Sequence, residues 1–357
     1  MKLDMAALGA PKALRGALIA LGAVLAAGAM AGSASAQPAA KPWYKTPWDP
    51  ARAQPCDRAC LVSIMSDYLH ALETKDRSAL PLAEQVWLTE NSAHMDLGEG
   101  LLWRAKLQPT AFRVDVADPV SGQIATQIVY NLEGRPALVA IRLMVERHMI
   151  TQVEELYDRN VAPQAMELLQ TPRPGLLNDV PAGEKNSREY LAYAANAYFD
   201  ALTGEDGKIA PFADDCVRHE QGYQTVNNAK PGRAAPSPAL PDPSTPMGKF
   251  FSELSTMTCS QQISTGVFTG IKRIWPRRLV IDEQKGLVAV FPLFVHDGTH
   301  REDPNATSPQ GGLGMVINLD TMETFGVRGG KIHEVEAFPF VTLPYGLGDG
   351  WTNAVAH

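Results

Sequence analysis

The densest run of chemistry-bearing side chains is Arg218-His219-Glu220, followed by Tyr223, Gln224, Thr225, Asn227 and Asn228. A carboxylate flanked by hydroxyls and amides can move a proton and hydrogen-bond a small ligand. In an extended segment Arg218 and Glu220 share one face and His219 takes the other, so only one of His219 and Glu220 enters a cavity. Glu220 can equally pair with Arg218. An earlier carboxylate, Glu90, is followed by Asn91 and His94, and His94 could act as a base there. His296 and His300 have helical ligand spacing, but Gly298 and Asp303-Pro304 favour a loop. With no third ligand nearby, no metal is expected. No G-x-S-x-G, Walker loop or dinucleotide fingerprint occurs, and Gly311-Gly312-Leu313-Gly314 precedes a strand, so no cofactor is expected.

The four cysteines are Cys56, Cys60, Cys216 and Cys259. Of the three pairings, 56–60 with 216–259 keeps each bridge within one half of the chain. Disulfides need an oxidising compartment, and the N-terminus points to one. Lys2, Lys12 and Arg15 precede an uncharged run from Gly16 to Ala31, then Ala34-Ser35-Ala36. That is the pattern of a secretory signal cleaved after Ala36, leaving a secreted or periplasmic protein; the run is too short for a membrane span. The 357 residues carry a net charge of −7, and cleavage removes more positive than negative charge. An acidic chain without a basic stripe excludes nucleic acid as partner, and no membrane partner is expected after cleavage.

The chain repeats itself. Residues 68–92 and 198–222 align without gaps at an offset of 130, sharing Tyr68/Tyr198, Ala71/Ala201, Leu72/Leu202, Asp76/Asp206, Pro81/Pro211, Ala83/Ala213 and Glu90/Glu220. Gly122 matches Gly286 at an offset of 164. Val145, Ile150, Val153 and Glu154 match Val327, Ile332, Val335 and Glu336 at 182. Ordered matches at growing offsets indicate a duplicated domain with two insertions in the second copy. The first insertion is rich in proline (Pro231, Pro236, Pro238, Pro241, Pro243, Pro246), which predicts an exposed loop; the second lies around 296–312. The divisions are 1–36 signal, 37–55 extension, 56–165 first domain, 166–186 linker, 187–346 second domain with its insertion at 229–258, and 347–357 tail.

Each copy opens with an amphipathic helix, carried by Leu61, Ile64, Met65, Tyr68, Leu69 and Leu72, then by Leu191, Ala194, Ala195, Tyr198 and Leu202. Asn186 or Ser187 can cap the second helix and Gly204 can end it. Strand-like runs follow at 126–130, 137–145 and 150–156, then at 287–295, 315–325 and 331–338. Helices first and strands after give an α+β fold, with helices packed on a curved antiparallel sheet.

The segment Ala197-Tyr198-Phe199-Asp200-Ala201-Leu202, then Phe212-Ala213-Asp214-Asp215, and the Gly329-Gly330-Lys331-Ile332 turn resemble the SnoaL-like, ketosteroid-isomerase-like superfamily with the nuclear transport factor 2-like fold. The resemblance implies two tandem cone-shaped domains. It also implies catalytic roles: Tyr198 as oxyanion donor, Glu220 as proton shuttle, and Asp320 as a second donor. Tyr198 also lies on the apolar stripe of its helix, where its ring can simply fill core. The first copy retains Tyr68 and Glu90, while Leu138 takes the place of Asp320, so the second copy is expected to hold the better-equipped site. His219, Tyr223, Gln224 and Asn227, with Tyr68, Glu90 and His94 of the first copy, are the expected ligand contacts.

The expected function is that of a cofactor-independent isomerase, dehydratase or lyase acting on a small apolar or aromatic molecule. The alternative is a non-catalytic binding or scaffold protein of the same fold. Self-association into a homo-oligomer stays open.

Overall fold

The computed structural model describes residues 55–161, 163–229, 244–299 and 316–351. The expected signal, nearly all of the 37–55 extension, the prolines at 231–243, His300, the glycines at 311–314 and the end of the tail lie outside the described residues.

The first half opens with helix α1 (Arg58–Thr74). Asp57 caps it by accepting from the Cys60 N–H at 2.8 Å, and Lys75 ends it in the left-handed region at φ 63°. Six strands follow: β1 (Leu82–Glu90), β2 (Ala93–His94), then, after the short helix α2 (Leu101–Arg104), β3 (Leu107–Asp118), β4 (Gln123–Leu132), β5 (Arg135–Glu146) and β6 (Met149–Asp158). Helices α3 (Pro163–Leu168) and α4 (Pro174–Leu177) form the connection. The second half repeats the plan with α5 (Arg188–Gly204), β7 (Phe212–Glu220), β8 (Tyr223–Gln224), α6 (Pro246–Thr256), α7 (Cys259–Ile263), β9 (Ile271–Asp282), β10 (Leu287–Asp297), β11 (Val316–Arg328) and β12 (Lys331–Pro344). Ser187 caps α5, and Glu205 rather than Gly204 supplies its left-handed end. Asn186 instead accepts from the Gly330 N–H.

Both sheets have the same order, β2-β1-β6-β5-β4-β3 and β8-β7-β12-β11-β10-β9. Each is antiparallel except where β1 joins β6, and β7 joins β12, in parallel. The strands β1, β3, β7 and β9 were absent from the sequence-based expectation. Their apolar positions are interrupted by charge, as in Ile271–Asp282 with Lys272, Arg273, Arg277 and Arg278. Nor is the first insertion all loop: residues from 246 onward form α6. Thr245 caps it, and Pro246 sits in the first turn, where a missing N–H costs nothing.

Among the described residues three large apolar cores follow one another, with a small fourth cluster at Cys216, Val226 and Cys259. One lies between α1 and the first sheet, and another between α5 and the second sheet. The third joins the backs of the two sheets, with Phe112, Val129, Leu138 and Leu156 from the first against Phe291, Met322, Phe338 and Val341 from the second. The central strands are therefore buried on both faces, and β10 exposes almost nothing.

Polar contacts fix the register of this central layer. Arg188 at the start of α5 binds both oxygens of Asp118 at 2.7 Å, and Arg58 at the start of α1 binds Asp282 at 3.0 Å. Under the repeat the arginines correspond, and so do the aspartates, so the two pairs are reciprocal. Gln127 donates to the carbonyls of Met322, Glu336 and Phe338, which flank an irregularity between β11 and β12, and accepts from Thr324 at 2.8 Å. Carbonyls freed by a strand irregularity thereby find a partner from the other sheet.

A buried charged group lies in the same layer. Arg142 pairs with Glu154 at 2.8 Å, while Arg278 pairs with both Glu154 and Asp349. The Trp351 ring lies 4.8 Å from the Arg142 guanidinium and its indole N–H donates to Thr89 at 2.9 Å. Gly350 permits that return, because a Cβ there would lie 2.5 Å from the Ser92 carbonyl. Asp320 borders this group and accepts from Ser92 at 2.7 Å. Burial, reinforced by Glu154, pushes the Asp320 carboxyl up to about 8.

A folded-state pKa above the unfolded one means that the folded protein holds a proton the unfolded chain releases. Stability is lost from this group as pH rises from the usual aspartate range toward 8. Asp320→Asn keeps an acceptor for Ser92 and removes the titration. Its melting temperature is expected to exceed that of the parent at pH 8 by more than at pH 5; an equal difference at both values would contradict the assignment.

Candidate functional site

The paired helix tyrosines meet buried carboxyls in both halves. In the first, the Tyr68 hydroxyl donates to Glu155 on β6 at 2.6 Å and accepts from the Trp103 indole at 3.3 Å. In the second, Tyr198 shares hydrogen bonds with Glu323 on β11 and with Arg218 on β7. Burial pushes the Glu155 carboxyl up to about 8, and Glu90 adds to it. Burial likewise pushes Glu323 up to about 8, reinforced by Glu220. Both tyrosines are raised well above their ordinary range, chiefly by burial.

Glu155 and Glu323 were not among the candidates from sequence. They are not equivalent under the repeat: Glu155 corresponds to Ala337, and Glu323 to Ile141. Yet Glu323 is the cross-strand partner of Ala337, and Ile141 that of Glu155. The halves thus carry one buried carboxyl at neighbouring places, with the complementary place apolar. A usable signal was the strand alternation Leu319, Thr321, Glu323, Phe325, Val327, in which one charge shares a face with core residues.

The strand-end carboxylates differ more. Glu90 is sealed: its two oxygens accept from the N–H groups of Leu101 at 2.7 Å and Leu102 at 2.9 Å, at the start of α2. Gly100 is required for that approach, since a Cβ there would lie 2.3 Å from Glu90 Oε2. Among the described residues no helix N–H donates to Glu220 in this way. Its side chain is 32% exposed and pairs with the Arg218 Nε at 2.9 Å, the pairing that strand parity allowed. Arg218 is 4% exposed and stacks 5.1 Å from the Phe268 ring. Burial opposes its charge, but Glu220, Tyr198 and Glu323 outweigh burial and hold the guanidinium protonated.

The structure brings Tyr198 and Glu220 together around Arg218 but takes Asp320 elsewhere. Asp320 pairs with Leu293 and Val341, both in the core between the sheets, and so faces away from α5. Glu323, three residues further along β11, lies beside Tyr198 and Arg218 instead. His219 also faces the back of the sheet. Burial and the nearby Arg173, itself paired with Glu336, hold its imidazole neutral well below the usual range. Tyr223 is buried in the inter-sheet core.

Gln224 spends its amide on the carbonyls of Val226 and Asn227, and Asn227, at φ 48°, donates to the carbonyls of Asp214 and Cys216. These amides satisfy turn backbone instead of lining a pocket. His94 stacks on Trp87 at 4.1 Å and meets the Leu88 carbonyl at 2.9 Å, on the surface. The cysteines pair as expected, Cys56 with Cys60 and Cys216 with Cys259, which suits an oxidising compartment. A concavity of about 440 Å³ lies apart from the carboxyls, along Lys208, Met257, Ser260, Gln261, Ser264 and Thr265. Among the described residues no helix is long and apolar enough to cross a membrane.

Comparison with known proteins gives a family match and several matching structures, two of which follow. A family described as a domain of unknown function, DUF8021, matches residues 184–339, most of the second half. An NTF2-like protein of unknown function from Cytophaga hutchinsonii ATCC 33406 is similar at 16% identity and a TM-score of 0.24, covering 28% of this chain and 89% of that one. PrhC from Penicillium brasilianum NBRC 6234 is similar at 14% identity and a TM-score of 0.23, covering 28% and 82%. No curated protein matches the chain. The helix-and-sheet unit, present twice with one strand order, is the tandem α+β arrangement that the repeated motifs resembled. Neither likeness bears on ligand or reaction.

Tyr68→Phe removes the donor to a carboxyl that has no exposure. It is expected to destabilise the protein by about 1–3 kcal/mol in urea unfolding. A change within experimental error would show that the Tyr68–Glu155 bond contributes nothing.

Proposed function

We propose that the chain is an exported protein whose second half binds a small apolar or aromatic carbonyl compound and moves a proton on it without a cofactor, as an isomerase, dehydratase or lyase does. The observation that carries this reading is the contrast between the two strand-end carboxylates: Glu90 is closed by backbone N–H groups, whereas Glu220 is a third exposed beside a buried tyrosine and carboxyl. Glu220 takes the proton from the carbon next to the carbonyl. The electron pair moves onto the carbonyl oxygen, which receives a hydrogen bond from Tyr198, and the proton returns at a second carbon. Glu323, protonated at neutral pH, supports Tyr198 as a donor. Such a carboxylic donor in an apolar site is the arrangement long known for ketosteroid isomerase.

A non-catalytic binding role is the second reading. It is favoured by the closure of Tyr198, Arg218 and Glu323 upon one another.

Incubation of the protein in deuterated water with a panel of small carbonyl compounds separates the two readings. Catalysis predicts deuterium incorporation detected by mass spectrometry, reduced by about 100-fold or more in Glu220→Gln. The rate should fall as pH rises above 8, where Glu323 loses its proton. Incorporation no faster than the protein-free blank, or equal in Glu220→Gln, would reject the catalytic reading. Thermal stabilisation by a panel compound without incorporation would favour binding alone.

A further inference from the structure

We infer that Gln262, brought against β7 by the Cys216–Cys259 disulfide, is a positioning residue that sets Arg218, and through it Glu220 and Glu323, in the second half. This deepens the proposed function by naming what holds that site in shape.

Arg218 has a long side chain and several rotamers, so its place beside Glu220 must be enforced by contacts. Three are present. The Thr225 hydroxyl lies 3.2 Å from its Nε, the Phe268 ring lies under its guanidinium, and the Gln262 Oε1 accepts from a terminal nitrogen. The orientation of the Gln262 amide is set independently of Arg218. Its nitrogen donates to the Thr225 carbonyl at 2.7 Å and to the Leu254 carbonyl at 3.0 Å, which leaves only the oxygen for the guanidinium. Gln262 is 4% exposed. One side chain thus joins α6, α7, the segment after β8 and the arginine.

The disulfide runs beside this link. Cys216 and Arg218 are two apart on β7 and share a face; Cys259 and Gln262 are three apart on α7 and share a side. Both sulfurs are buried, with Val226 beside them. Strand and helix are therefore joined at two successive rungs, one covalent and one hydrogen-bonded. In the first half the corresponding strand residues are Val86 and Leu88, which can form neither rung. There α2 approaches instead and seals Glu90 with its own backbone. In the second half the insertion brings a different helix, which grips the arginine and leaves the carboxylate outward.

The readout is the titration of Glu323 in the full chain, followed by carbon NMR of labelled carboxyls. The groups facing Glu323 are Glu220 and Arg218 of β7 and Tyr198 of α5, while β10 and β12 place Val290 and Ala337 opposite it. Burial raises its pKa to about 8 and Arg218 opposes the rise. Gln262→Met keeps the shape and removes the acceptor. It is expected to raise the Glu323 midpoint by about half a unit or more, with faster hydrogen exchange at the Arg218 Nε–H and no change at Glu155. Cys216→Ala/Cys259→Ala should do the same. A Glu323 midpoint unmoved in Gln262→Met overturns the role of Gln262, and one unmoved in the folded cysteine variant overturns that of the disulfide. If the cysteine variant does not fold, Gln262→Met decides alone. Neither readout uses turnover, so absence of deuterium incorporation by the parent would sink the proposed reaction while leaving this inference intact.

Discussion

The reciprocal pairs Arg58–Asp282 and Arg188–Asp118 hold the arrangement on which the rest depends, the back-to-back packing of two copies of one sheet. Each copy lends an arginine from the start of its helix and receives one at the end of its third strand. Such an exchange is the signature of a two-fold contact between like subunits, here written into one chain. With both sheet backs buried, only the helix-covered faces are left for chemistry. The same burial removes the sheet backs as surfaces on which a second copy of the chain could dock.

Within that symmetry the halves have diverged by small, compensated steps. The interior carboxyl stands on the sixth strand in one half and on the fifth in the other, with Ile141 and Ala337 filling the vacated places. The tyrosine keeps its partner while the rest of the site changes around it. Arg218 in place of Leu88 adds a buried cation, which is tolerated because a carboxylate, a hydroxyl and an amide all turn toward it. The first half, sealed by α2, is a packed core. The second half retains an acid that is a third exposed.

Much of this was legible in the chain. The tandem repeat, the amphipathic helices and the tyrosine–carboxylate correspondence stand out because helical periodicity and local motifs are encoded within short windows. Strands β3 and β9 were not legible. They combine apolar residues with charges whose partners lie far along the chain, as Arg278 does with Glu154 and Asp349. That Asp320 faces the inter-sheet core while Glu323 faces α5 was hidden for a similar reason. On a strand buried on both faces, alternation between core and water disappears, and only the three-dimensional packing says which face is which. The turn bonds of Gln224 and Asn227 were not legible, because an amide that satisfies a turn has the same local sequence as one that meets a ligand.

The return of Asp349, Gly350 and Trp351 onto the first half has a consequence for the order in which the molecule is completed. Arg142 and Glu154 form a pair within the first half, but Glu154 also needs Arg278 from the second, and Arg278 needs Asp349 from the segment after β12. A chain made from its N-terminus therefore carries an incomplete charged layer until the segment after β12 has emerged. The first half can collapse around α1 early, yet its outer sheet face remains wet and charged. Final closure belongs to the segment after β12, which ties the integrity of the charged layer to Asp349 and Trp351.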